Sequence, residues 1–187
     1  MPRVHGWDVV MEQLQDGVAR VAQTAKATAD AYRGDDQRPL GGYVVIMALF
    51  GALLCGAAGL ASATGRRLPA GVGPWDLVLL AAGTHKLSRT LTKDAVTSPL
   101  RAPFTRYRET GGPGEVMEEV RHRDGLRHSI GELITCPFCL DVWIATGFTI
   151  GLVFAPRLTR LIAATLSAIT GADFLHLLYA KAQEGEG

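Results

Sequence analysis

The sequence predicts an all-α fold, an integral membrane helical bundle of three or four spans with an N-terminal amphipathic helix and a cytoplasmic loop. Two observations predict it. No charged residue occurs between Leu40 and Gly65, although 20% of the 187 residues are charged. The charged residues concentrate instead in residues 1–38 and 86–132, as a bilayer requires, because charge in the hydrocarbon core is costly. We therefore divide the chain into a helix over 1–38 and a membrane bundle over 39–187.

The first 38 residues contain an apolar seam with heptad spacing. Its members recur at alternating intervals of four and three residues, the repeat of helices that pack against one another: Trp7, Met11, Leu14, Val18, Val21, Ala25, Thr28 and Tyr32. Acidic and basic residues are mixed on the remaining surface, whereas a helix lying on a membrane carries more Lys and Arg there. The segment is therefore predicted to pack on its own protein, on a cytosolic protein partner, or on a second copy in a homo-oligomer.

Four segments are candidates for spans across a lipid bilayer. Residues 43–63 form an uncharged run of 21 residues, and about 20 residues cross the hydrocarbon core as a helix. The other spans are predicted near 75–92, 140–155 and 158–180. Charged residues interrupt the second and the fourth segments. The number of spans, three or four, depends on whether these two segments cross the bilayer completely.

The polar segment 93–135 is predicted to be a cytoplasmic loop with a short helix around 115–122. If all four segments span, fifteen of the 19 Lys and Arg residues lie on the side of this loop and of both termini, leaving Arg66, Arg67, Arg157 and Arg160 opposite. The positive-inside rule therefore places the loop and both termini in the cytoplasm. The net charge of +1 gives no reason to expect a nucleic-acid partner.

Ionisable residues near the inner ends of the spans predict a structural polar cluster. An isolated acid such as Asp141 or Asp173 is costly within a span, so we expect both to pair with Lys86, Arg89 or Lys93. The whole predicted cluster comprises Arg89, Lys93, Asp94, Arg101, Glu132, Asp141, Asp173 and His176. Its simplest role is to fix the register of the helices, and a relay for transport through Asp141, Asp173 and His176 is the alternative.

Cys136 and Cys139 form a CxxC sequence where the third span begins. A helix N-terminus favours the thiolate form, which suits thiol exchange, but the βαβ pattern of a thioredoxin-like fold is absent. The pair could instead bind zinc. A structural zinc site takes four ligands, so histidines or a second chain would have to complete it. Reduced structural thiols, zinc binding and redox chemistry stay open, and no catalytic motif and no other cofactor is predicted.

Two blocks of sequence resemble the signatures of a known family. They are LSRTLTKDAVTSPLRAPF at 87–104 and GELITCPFCLDVW at 131–143. They are similar to the Arg-x-x-x-Lys-Asp, Leu-Arg-x-Pro and Glu-Leu-x-x-Cys-Pro-x-Cys-Leu-x-x-Trp elements of the domain of unknown function 1360 family. The matching positions are Arg89, Lys93, Asp94, Arg101, Pro103, Glu132, Cys136, Cys139 and Trp143. The resemblance covers residues 75–152, implies a small bacterial membrane protein, and implies no established activity.

Both blocks flank the predicted loop, so we expect them to meet at the inner membrane surface. There Arg89 or Lys93 should pair with Asp94, Asp141 or Glu132 near the two thiols. The predicted function is a non-catalytic membrane anchor or scaffold that recruits a cytosolic partner or self-assembles. A thiol or metal protein that uses the cysteine pair, and a small channel or transporter, are the alternatives.

Overall fold

A computed structural model describes residues 6–33 and 38–185. The helices are α1 (Gly6–Arg33), α2 (Leu40–Ala63), α3 (Pro74–Thr92), α4 (Ser98–Arg101), α5 (Gly125–Thr135), α6 (Pro137–Phe154) and α7 (Pro156–Glu184), and the strands are β1 (Thr105–Thr110) and β2 (Val116–Val120). α1 is one compact unit, and the elements that follow it form a second. The predicted amphipathic segment 1–38 also includes residues 1–5 and 34–37, which lie outside the described residues.

Three helices, α2, α6 and α7, are long and apolar enough to cross a membrane, judged by length and composition. α3 has 19 residues but also carries the charged residues Asp76, Lys86 and Arg89. With or without α3, the molecule is the predicted helical bundle of three or four spans. The β1–β2 hairpin is an exception to an otherwise all-α fold in the described residues.

Proline and glycine set the ends of the long helices. Pro74, Pro137 and Pro156 stand in the first turns of α3, α6 and α7, where the missing N–H of proline leaves no helical hydrogen bond unmade. After α2, Gly65 adopts a φ of 62°, and the N–H of the next residue donates to the carbonyl of Ala61 at 2.8 Å. This is the glycine-terminated helix end in which a left-handed residue turns the chain away.

Small residues allow α3 to pack closely against α6 and α7. Gly83 on α3 faces the backbone of Ala163 on α7, and a Cβ at Gly83 would lie 3.3 Å from the Ala163 carbonyl oxygen and 3.6 Å from the ring of Phe148 on α6. Ala163 itself is completely buried. Close approach of backbones at small residues is typical of helix packing in membranes, where lipid removes the hydrophobic driving force between helices.

Hydroxyl groups join α7 to α3 at the same interface. Ser167 Oγ donates to the carbonyl of Leu79 at 2.8 Å, and Thr170 Oγ1 donates to the carbonyl of Ala82 at 3.0 Å. Both hydroxyls also donate to carbonyls of their own helix, so they bridge the two backbones. The buried face of α3 continues this polar character with Thr84, Ser88 and Thr92.

α2 touches the remaining helices near its first half. Gly42 lies so close to Ser129 on α5 that a Cβ would overlap the serine hydroxyl. Two turns further on, the ring of Phe50 meets the edge of Trp143 on α6 with the ring centroids 5.1 Å apart. Most of the apolar surface of α2 is exposed, as expected for a helix that faces lipid.

The predicted short helix around 115–122 is wrong, because Val116–Val120 forms strand β2. It pairs antiparallel with β1, with Thr105 opposite Val120 and Thr110 opposite Val116. Two valines four residues apart fit one face of a helix, and they fit one face of a strand equally well. Pairing with β1 decides in favour of the strand, and it turns the predicted loop 93–135 into a folded module.

We expect Gly83→Leu to destabilise the bundle by about 1–3 kcal/mol, the range for overpacking a filled interface. The new side chain would push against the Ala163 backbone. The matched control is Gly56→Leu, since a Cβ at Gly56 meets nothing within 4 Å. Thermal unfolding of both detergent-purified variants measures the effect. Equal unfolding midpoints for the two variants would contradict this packing.

Candidate functional site

The hairpin module, residues 93–135, connects α3 to α6 and is fastened to the end of α3 at its tip. The N–H of Val116 donates to the carbonyl of Lys93 at 2.8 Å, and the N–H of Ala95 donates to the carbonyl of Gly114 at 2.9 Å. These backbone hydrogen bonds extend the hairpin onto the residues that leave α3. These bonds therefore hold the hairpin tip against the residues that follow α3.

A buried ion pair lies inside the module. The side chains of Arg101 on α4 and Glu118 on β2 are only 1% and 6% exposed. Arg101 Nε donates to Glu118 Oε2 at 2.8 Å and Nη2 donates to Oε1 at 3.2 Å, so the pair is bidentate. Thr105 Oγ1 on β1 donates a further hydrogen bond to Glu118 Oε2 at 3.0 Å. The Glu118 carboxylate thus links both strands to one guanidinium group.

The N–H groups of Arg101 also bind the segment from the end of α3 to the start of α4. They donate to the carbonyl oxygens of Leu91 at 2.8 Å and Asp94 at 3.0 Å, and to the hydroxyls of Thr97 at 2.6 Å and Ser98 at 3.2 Å. A buried charge is tolerated when it is paired and fully hydrogen-bonded. The guanidinium meets this condition and joins the end of α3, α4 and β2 at one point.

The environment of Glu118 keeps its carboxylate ionised. Burial alone would raise the pKa of Glu118, but hydrogen bonds from Arg101, Ser98 and Thr105, with the charge of Arg101, outweigh it and hold the pKa below its ordinary value. The pair therefore persists as an ion pair at neutral pH.

A second ion pair joins α3 to the hairpin tip. Arg89 Nη2 donates to Glu115 Oε1 at 2.6 Å, and Nε donates to the same oxygen at 3.1 Å. The prediction that Arg89 would pair with Asp94, Asp141 or Glu132 is therefore wrong about the partner. The sequence predicts Glu115 in a helix, whereas the hairpin turn returns it to the last turn of α3.

Glu132 lies at a separate place, where α5 meets the start of α2. Tyr43 Oη on α2 donates to Glu132 Oε2 at 2.5 Å, and His128 Nε2 on α5 lies 3.2 Å from Oε1. The His128 ring also bonds to the carbonyl of His122, which precedes α5. Glu132 thus ties the first turn of α2 to the helix that leads into the CxxC sequence.

The cysteine pair forms the start of α6. Cys136 is the N-cap residue, and its Sγ accepts a hydrogen bond from the backbone N–H of Cys139 at 3.2 Å. Both thiols are free. Among the described residues no group of three or more His, Cys, Asp or Glu side chains is arranged to hold a metal ion.

The spans hold the other predicted cluster residues. Asp173 on α7 pairs with Lys86 on α3 at 2.9 Å, one of the partners expected from the sequence. Asp141 Oδ1 on α6 is buried and has no hydrogen-bond partner within the described residues. His176 is exposed on α7, about one turn beyond Asp173. The predicted cluster is thus distributed over several places, with Lys93 contributing its backbone carbonyl to the hairpin tip.

The two sequence blocks touch where α5 crosses the hairpin. A Cβ on Gly131 would lie 2.6 Å from Val120 Cγ1 and 3.4 Å from the carbonyl oxygen of Phe104. Gly131 begins the second block and Phe104 ends the first. Only a residue without a side chain allows α5 to approach the hairpin this closely.

The fold and the site define a class of protein, a small helical membrane protein in which a buried ion pair fixes a β-hairpin at one end of the bundle. The chain belongs to the family described as protein of unknown function (DUF1360), whose model matches residues 79–179, more than half of the chain. The match covers most of α3, the hairpin module, α6 and most of α7. α1 and α2 lie outside it.

The chain is also similar to the sporulation protein YjcA of Bacillus subtilis (strain 168). The two are 37% identical over 76 residues, which is 40% of this chain and 64% of the relative. The chain therefore spans less than two thirds of the length of that relative. No solved structure matches the chain.

Replacing Arg101 by methionine should destabilise the module by about 3–5 kcal/mol, because it leaves the Glu118 carboxylate buried without its partner. The double variant Arg101→Met, Glu118→Leu should recover part of this loss, since an apolar pair of similar volume leaves no buried charge. The matched control is Arg108→Gln, which breaks the exposed Arg108–Glu119 pair of the same hairpin and should change stability by less than about 1 kcal/mol.

These variants are compared by hydrogen exchange of the hairpin amides and by thermal unfolding in detergent. Equal losses for Arg101→Met and Arg108→Gln would contradict the central role of the buried pair.

Acid should weaken the module through Glu118. Because the pKa of Glu118 is lowered in the folded state, its stabilising contribution is complete above the ordinary value of 4.5 and is lost as the pH falls through the lower folded pKa. Thermal unfolding at about pH 6 and about pH 3 should therefore show a larger loss for the natural chain than for Glu118→Gln. The same loss in both proteins would show that Glu118 does not titrate with folding.

Proposed function

We propose that the chain is a non-catalytic membrane scaffold, in which the bundle carries the hairpin module at the cytoplasmic membrane surface and α1 assembles copies of the chain. One observation carries the proposal, the long exposed apolar seam of α1. The hairpin module supports it, because Arg101, Glu115 and Glu118 are used in ion pairs that hold the module together. The alternatives rest on fewer residues. The thiol pair supports a thiol or metal protein, and the buried oxygen of Asp141 supports a transport protein.

α1 is a helix of 28 residues. No other described residue of its own unit packs against its apolar seam. The exposed seam residues are Trp7, Met11, Leu14, Val18, Val21 and Tyr32. Most of the stability of a helix in a protein comes from packing of its apolar face. Such a seam with four-three spacing therefore favours a second helix as its partner.

A second copy of this chain is the occupant that fits best. Within the heptad, Leu14 occupies a d position and Val18 an a position, a combination that favours pairs of helices. The polar surface between residues 7 and 32 has more acidic than basic residues: Asp8, Glu12, Asp16 and Asp30 against Arg20 and Lys26. Anionic lipid attracts basic segments, so this composition favours a protein partner over the membrane surface.

The proposed orientation places both termini and the hairpin module in the cytoplasm of a bacterial cell, with the bundle in the inner membrane. Support comes from the fifteen Lys and Arg residues that this orientation places inside, against four outside. In that orientation α1 lies in the compartment where a cytosolic partner or another α1 is available.

The double variant Leu14→Gln, Val18→Gln should weaken self-association at least about tenfold, because each apolar side chain withdrawn from an interface loses roughly 1.5–3 kcal/mol. The matched control is Val9→Gln, which changes an exposed valine that lies outside the seam. Light scattering of the full detergent-purified chain, and crosslinking in membranes, measure the mass of the assembly.

A natural chain that is monomeric in both measurements would overturn self-assembly. An unchanged assembly in the double variant would show that α1 does not provide the contact.

A further inference from the structure

A cavity lies at the end of the bundle opposite the hairpin module. Its volume is about 310 Å³, and it opens between the α2–α3 connection, the end of α6 and the start of α7. Sites for small molecules occupy roughly 300–1,000 Å³. The polar residues that line it are Arg67, Asp76 and Arg160.

The cavity offers unused hydrogen-bond donors and an excess of positive charge. Arg160 Nε and Nη2 donate to the two carboxylate oxygens of Asp76 at 2.8 and 2.9 Å, so three of the five guanidinium N–H groups stay available on a side chain that is 51% exposed. Arg67 has no hydrogen-bonding or ionic partner among the described residues. Two cations against one acid attract an anion with several acceptor oxygens, and arginine suits phosphate in particular.

The rest of the lining is apolar. Val72, Leu152 and Pro156 lie in the wall beside the arginines. α6 ends and α7 begins here, and both helices have the length and composition to cross a membrane. The cavity therefore lies at the level where lipid headgroups meet acyl chains. A polar opening beside an apolar wall fits a ligand that has a charged group and an apolar chain.

The distribution of cations points to the same place. In the proposed orientation four basic residues lie outside, where the positive-inside rule disfavours them. All four lie at this end of the bundle, Arg66 and Arg67 in the α2–α3 connection and Arg157 and Arg160 near the start of α7. One residue from each pair lines the cavity. Two cations that converge from separate segments of the chain indicate a site for an anion.

We propose that this cavity binds an anionic phospholipid, with the headgroup phosphate between Arg67 and Arg160 and an acyl chain along the wall of Val72 and Leu152. The site does not depend on assembly through α1, so it stands whether or not the scaffold proposal holds. If the proposed orientation is reversed, the lipid comes from the other leaflet and the chemistry of the site is unchanged.

The test uses the full chain in detergent, with phosphatidylglycerol and phosphatidylcholine as probes and native mass spectrometry as the readout of bound lipid. The natural chain should bind phosphatidylglycerol at least about tenfold more tightly than phosphatidylcholine, because both lipids carry the phosphate but phosphatidylcholine adds a choline cation, which the two arginines repel. Arg67→Gln should lose most of this preference. The matched control Arg66→Gln changes the neighbouring arginine, which does not line the cavity, and should bind like the natural chain.

Equal lipid binding by Arg67→Gln and Arg66→Gln would overturn the site, as would equal binding of the two lipids by the natural chain. Inorganic phosphate supplies a further arm. If phosphate alone displaced the lipid at similar concentrations, the apolar wall would contribute nothing and the lipid assignment would be wrong. Unchanged thermal unfolding of the lipid-free Arg67→Gln variant shows that its fold is retained.

Discussion

The position of one guanidinium group determines the architecture of the hairpin module. Arg101 is buried, and its donors are shared between the Glu118 carboxylate, two backbone carbonyls and two hydroxyls. A buried ion pair adds little net stability compared with an apolar pair of the same shape. It does, however, specify one arrangement, because any other position of the strand would leave a charge without its partner. The contacts of Arg89 with Glu115 and of Gly131 with Val120 are compatible with that arrangement.

The bundle follows a different physical rule from the module. Lipid is as apolar as leucine, so apolar side chains gain little by moving from lipid to a helix interface. α3 and α7 are accordingly joined by small residues and by hydroxyls that donate to carbonyls of the neighbouring helix. Large apolar side chains on α2 and α7 stay on the outside. The protein therefore buries polarity in its bundle and exposes apolar surface, the reverse of a soluble domain.

The sequence predicted the bundle better than it predicted the module. The uncharged run before Gly65 allows one interpretation, because length and lack of charge together specify a span. The segment after Gly114 allows two, since Val116 and Val120 suit a helix or a strand and only the distant strand β1 decides. Glu118 was missed for this reason. Once the strand is known, an acid between two inward valines marks a buried partner for a cation, and Arg101 in the family motif is the cation.

The ion pairs of α3 constrain the order in which the bundle can form. Asp76 and Lys86 find their partners, Arg160 and Asp173, on α7, and Arg89 finds Glu115 on the hairpin. Each of these partners lies later in the chain than the residue that it neutralises. During synthesis α3 emerges from the ribosome carrying charges that have no counterions yet. Two of its ion pairs can form only after α7 has been made, so α3 becomes fixed at the centre of the bundle later than its own place in the chain would suggest.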